Sequence, residues 1–123
     1  MDDYHATYVY EEFVEACRRD LMGKGKVTID WDVRETAEED FGLLSRRDIL
    51  LCIVNGACES MEFENSHPYW KSDERPRPIC DAYTFFIGST LGYISFFYSD
   101  HKNQWSIKSF HRSSRDLELY RFK

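Results

Sequence analysis

The feature that most constrains this chain is a change of period near residue 60. Before it, apolar residues recur at helical spacing; after it, they alternate with polar ones. From Thr7, the run TYVYEEFVEACRRDLMGKG places Val9, Phe13, Ala16, Cys17 and Leu21 on one helical face, and Gly23 and Gly25 stop the helix. Val27–Trp31 alternates as an edge or half-buried strand would. Thr36-x-x-Glu39 reads as a capping box for a short helix ending near Phe41-Gly42. Ser45-x-x-Asp48 repeats that signature before Ile49–Val54, a buried helix closed by Asn55-Gly56.

Beyond residue 60, Met61 and Phe63 alternate with acids and suggest a strand. Residues 66–78, SHPYWKSDERPRP, hold Pro68, Pro76 and Pro78, which exclude regular helix and predict an ordered loop. Strands are expected over Ala82–Ile87, Tyr93–Tyr98 and Gln104–Phe110, with turns at 88–92 and 99–103. Leu117–Phe122 would add a strand or pack as a tail. The sum is an α+β domain, residues 1–123, with N-terminal helices packed on one face of a C-terminal antiparallel sheet. Its other face would stay open and carry the polar residues that alternate with Phe85, Ile94, Phe96, Trp105 and Ile107.

At 123 residues and 42% hydrophobic, one core forms without help from a metal or disulfide. No run reaches the ~18 apolar residues of a membrane span. Met1-Asp2-Asp3 lacks the layout of a signal peptide, so a cytoplasmic protein with no membrane association is expected. Cys17, Cys52, Cys58 and Cys80 make no Cys-x-x-Cys, and no histidine pair has zinc-ligand spacing; reduced core thiols, no metal and no cofactor are expected. A net charge of −6 argues against a generic nucleic-acid binder. The charge is uneven: residues 1–64 carry 16 acids and 7 bases, whereas residues 65–123 carry 6 acids and 9 bases.

Lys24 sits in a Gly-Lys-Gly-Lys turn without the spacing of a phosphate loop, and no Gly-x-Ser-x-Gly elbow exists. What remains is a cationic and aromatic set: Lys71, Arg75, Arg77, Tyr83, Lys108, His111 and Arg112. Metal-independent cleavage of RNA through its 2′-hydroxyl needs such groups. A base takes the hydroxyl proton, an acid protonates the leaving 5′-oxygen, and cations stabilise the phosphorane. His111 would serve as acid or base, Tyr83 as proton or hydrogen-bond donor, and Arg75 as phosphate ligand. The plainer alternative is solvated cations, a packed tyrosine and a structural histidine.

Lys26-Val27-Thr28, Glu39–Leu43, Trp70–Pro76 with its Arg75-Pro76, Tyr83 and Ser109-Phe110-His111 stand in an order and spacing that resembles the MqsR-type mRNA-interferase toxins of the RelE-like group, over residues 8–112. A neighbouring family of small α+β domains, DUF4258, shows a similar helix, turn and terminal strands. The resemblance implies a RelE-like fold and an endoribonuclease acting on mRNA, also at the ribosome, with a cognate antitoxin or other protein partner. It implies His111, Tyr83 and Lys71 as catalytic residues, with Trp70, Arg75, Arg77 and Arg112 binding substrate. Where that family carries lysine after the buried helix, this chain has Glu62; the family's glutamine falls at Lys71 and its final lysine at His111. The competing expectation is a non-enzymatic acidic interaction protein of the immunity or antagonist kind on the same fold, covering a basic surface.

Overall fold

The computed structural model describes residues 5–114; the expected element at Leu117–Phe122 lies outside them. Three helices, α1 (Tyr10–Leu21), α2 (Trp31–Phe41) and α3 (Arg46–Asn55), precede a 3-10 turn at Ala57–Glu59. Strand β1 (Val27–Ile29) lies between α1 and α2, and β2 (Glu62–Pro68), β3 (Ile79–Ile87), β4 (Thr90–Ser99) and β5 (Gln104–Arg112) follow. The five strands form one sheet in the order β1-β5-β4-β3-β2. β2 to β5 pair antiparallel, as the alternation implies. β1 adds itself parallel to β5, Val27 opposite Trp105, so the sheet is mixed.

The helices and the sheet share one core, built from Phe13, Val14 and Cys17 of α1, Val33 and Ala37 of α2, Ile49, Leu50 and Ile53 of α3, and the inward rows of β3 to β5. Phe13 stacks flat on Phe96, with ring centroids 3.9 Å apart and planes 4° apart. Burying such rings supplies most of the drive for helix–sheet docking. The helix ends follow local chemistry. The Ser45 hydroxyl accepts from the Asp48 N–H at 3.1 Å, and the Asp48 carboxylate accepts from the Leu44 N–H at 3.3 Å. Gly42 closes α2 at φ 71, a left-handed conformation that glycine adopts without penalty.

Two local expectations are corrected. Trp31 does not end the first strand; it opens α2, and Asp30 stands at the N-cap position. The Asp30 carboxylate does not cap the helix because Lys108 Nζ takes it at 2.8 Å. Thr36 therefore lies inside the helix, where its hydroxyl contacts the carbonyls of Val33 and Phe110 at 3.0 and 2.9 Å and ties α2 to β5. The turns are also shorter than expected. Ile87 pairs with Thr90 across a two-residue loop with Gly88 at φ 61, the first position of a II′ turn. Ser99 pairs with Gln104 across Asp100–Asn103.

Candidate functional site

The alternation of β3 decides which side chains can meet. Asp81, Tyr83 and Phe85 face the helices, opposite Phe96, Ile94 and Gly92 of β4. The second face carries Ala82 and Thr84, then Ser95 and Tyr93, then Ser109 and His111. This second face is not the open polar surface expected: Ala82, Thr84, Ser95, Phe97 and Ser106 are all buried.

His111 pairs with Tyr93, and its ring lies against that tyrosine at 5.2 Å and 21°. Its Nδ1 is 2.8 Å from the Arg112 carbonyl. Tyr83 sits on the other side of the sheet, 4% exposed, stacked on Phe96 at 5.7 Å and flanked by Tyr10 and Phe63. Burial pushes the Tyr83 hydroxyl up to about 12. The sheet itself thus separates the two residues expected to exchange protons with one substrate. The residue beside His111 that sequence reasoning missed is Tyr93, whose hydroxyl is also pushed up by burial. Its position in the alternation, one residue from buried Ile94, was the available signal.

The expected phosphate ligands fare differently. Residues 69–78 form an ordered loop: the Tyr69 N–H donates to the Pro78 carbonyl at 2.8 Å, and the Ser72 N–H to the Tyr69 carbonyl at 3.1 Å. The Ser72 hydroxyl accepts from the Glu74 N–H at 3.0 Å, and Arg75 donates to the carbonyls of Ser72 and Glu74. This loop faces the β4–β5 turn across a cavity of about 640 Å³, lined by Glu74, Arg75, Arg77, Tyr98, Asp100 and His101, with Thr7 and Tyr8 on its wall. That volume is in the range of ligand sites. The turn is held by its own chain: the Ser99 hydroxyl accepts from the Lys102 N–H at 3.1 Å, and the Tyr98 hydroxyl meets the Asn103 side chain at 3.2 Å.

Arg77 lies over the exposed Trp70 ring, 5.3 Å from its centroid. Its Nε is buried without a hydrogen-bond partner. A buried donor left unmatched costs about 1–3 kcal/mol. Lys71 is exposed on the loop but does not line the cavity. His111 and Arg112 lie at the far end of β5. The seven steps from Gln104 to His111 span roughly 23 Å at about 3.3 Å per residue. The expected set is therefore divided: Arg75 and Arg77 share the cavity, Trp70 adjoins it, Lys71 stands apart, and Tyr83, His111 and Arg112 lie elsewhere. Lys108 is also occupied, bound to Asp30 and set over the Tyr69 and Phe97 rings. His101, which does share the cavity, sits in a turn that reads from sequence only as a connection.

The four cysteines are free thiols; Cys17 and Cys80 are buried. Among the described residues, no three of His, Cys, Asp or Glu converge as a ligand set, and no helix is long and apolar enough to cross a membrane. No family model, no curated protein and no solved structure matches this chain.

Proposed function

We propose that this protein is a metal-independent endoribonuclease of the toxin-like kind expected from the sequence, but with its site in the cavity between the 69–78 loop and the β4–β5 turn. The observation that carries the reading is that a carboxylate, a histidine and two arginines, Glu74, His101, Arg75 and Arg77, line that one cavity. Transesterification of RNA uses this combination. Glu74 takes the proton from the 2′-hydroxyl as its oxygen bonds to phosphorus. His101 gives a proton to the 5′-oxygen as the P–O5′ bond breaks. The products are a 2′,3′-cyclic phosphate and a free 5′-hydroxyl. Arg75 and Arg77 bind the phosphate and stabilise the charge that grows on its equatorial oxygens. Trp70 offers an exposed ring beside Arg77 on which a nucleobase can stack, a contact that favours single strands. Messenger RNA is the substrate this reading names.

The test is cleavage of a fluorescently labelled single-stranded RNA by the purified protein in the presence of a chelator. Glu74→Gln and His101→Ala should each lower the rate by about 10²–10⁴-fold, the usual contribution of one proton-transfer group. His111→Ala should leave it unchanged. Absence of cleavage by the wild type, or equal cleavage by the Glu74→Gln/His101→Ala double variant, overturns the reading.

A further inference from the structure

The outward face of α2 sets exposed apolar side chains among acids. Trp31, Arg34, Glu35, Glu38 and Glu39 recur at positions i, i+3, i+4, i+7 and i+8, opposite the stripe that buries Val33 and Ala37. Leu44, just past the helix, joins them, and the group lines a recess of about 230 Å³. Trp31 and Leu44 are among the most exposed large apolar side chains of the described residues, at 69% and 73%. Asp32 and Asp40 of the same helix are engaged by the backbone N–H groups of Val33 and Arg112. The carboxylates of Glu35, Glu38 and Glu39 have no ion-pair or hydrogen-bond partner among the described residues. The one neighbouring base, Arg34, lies over the Trp31 ring at 5.2 Å.

We infer that this recess docks a basic, amphipathic segment of a partner protein. The segment places an aliphatic side chain between Trp31 and Leu44 and lysine or arginine against Glu35, Glu38 and Glu39. Size decides between classes of occupant. Small-molecule sites run to about 300–1,000 Å³, and this recess is below that range, though ample for an aliphatic anchor. Charge decides the sign: α2 holds five acids and one arginine, which repels nucleic acid and attracts a cationic chain. Two apolar residues flanking three uncompensated carboxylates match a helix or strand that presents a leucine among basic residues. The surface is separate from the cavity proposed for RNA cleavage, and neither reading depends on the other.

The probe is a fluorescein-labelled amphipathic leucine–lysine peptide, titrated with the full chain and followed by anisotropy; polylysine of equal charge is the control. Saturable binding is expected, weakening as salt is raised through the physiological range. Trp31→Ala and Leu44→Ser should each weaken it by about tenfold or more, the loss of one buried anchor. Glu38→Lys should abolish it. All three positions are exposed, so these variants should fold, and each should retain RNA cleavage if the wild type has it. Binding of polylysine as tight as that of the leucine–lysine peptide overturns the proposal, because charge alone would then suffice. So does binding that Trp31→Ala and Leu44→Ser leave unchanged.

Discussion

Tyr8 is stapled to Asp81 across 73 positions of sequence: its N–H donates to Asp81 Oδ2 at 2.8 Å, while its hydroxyl donates to the Ile79 carbonyl at 2.6 Å. Asp81 is wholly buried in the inward row of β3, and it also accepts from the Thr7 N–H at 3.0 Å and the Ser66 hydroxyl at 2.6 Å. One carboxylate thus fixes the segment before α1 against β3 and β2, and that segment forms a wall of the proposed site. Burial pushes the Tyr8 hydroxyl up to about 12, so it remains a donor throughout the working pH range.

Replacing Asp81 with Asn keeps the shape but turns one acceptor into a donor that faces a backbone N–H. The expected loss is about 1–3 kcal/mol, the cost of an unmatched buried polar group. Urea unfolding measures it. Amide exchange at Thr7 and Tyr8 should speed up more than at the β4 core, because the staple acts on that segment; uniform change across the chain would contradict this.

Asp20 and Arg46 lock α1 to α3. The Arg46 guanidinium bonds both Asp20 oxygens and also donates to the Val27 carbonyl at 2.6 Å, while Asp20 accepts the Val27 N–H, also at 2.6 Å. Burial works to raise the Asp20 pKa, but the Arg46 hydrogen bond, the Val27 N–H and the charges of Arg46 and Lys26 outweigh it and hold the carboxyl below its ordinary range. A carboxyl depressed in the folded state adds stability above its unfolded pKa, and that stability is lost as pH falls through the folded value. Acid titration of stability should therefore show a loss beginning near pH 4 and continuing below it. Arg46→Ala should remove that slope and cost about 2 kcal/mol at neutral pH, between the values for exposed and buried pairs. An unaltered acid slope in this variant would sink the assignment.

Gly92 is required by the ring opposite it. A Cβ there would lie 2.6 Å from Phe85 Cε2, nearer still to Cζ, and 3.0 Å from Phe41 Cζ. Phe85 is fully buried and cannot retreat, packed as it is on Phe110 at 5.1 Å. Gly92→Ala should destabilise the fold by about 1–3 kcal/mol through overpacking. Adding Phe85→Leu should recover part of that loss in chemical denaturation; strictly additive costs would show that the two positions do not share the strain.

The sequence by itself determined the order and kind of the elements. The apolar period of Phe13, Val14 and Cys17 can be satisfied only by a helix against a core. The alternation through Tyr83, Phe85, Ile94 and Phe96 can be satisfied only by strands. Ser45, Gly42 and Gly88 act on their own neighbours, so their caps and turn are local facts. That Arg75 and Arg77 would fall together was legible because they share one short loop, and both line the cavity. The partnership of these arginines with His101 was not legible, because the β4–β5 turn meets the 69–78 loop only after the sheet has formed. For the same reason, nothing in the order of residues shows that Tyr83 and His111 lie on opposite faces; the sheet's register decides that. Nor could Asp81 be recognised as a staple, since the backbone partners it holds, Thr7 and Tyr8, lie more than 70 residues away. Local chemistry wrote the elements, whereas strand register and loop juxtaposition, which depend on contacts between distant parts of the chain, decided which side chains form a site.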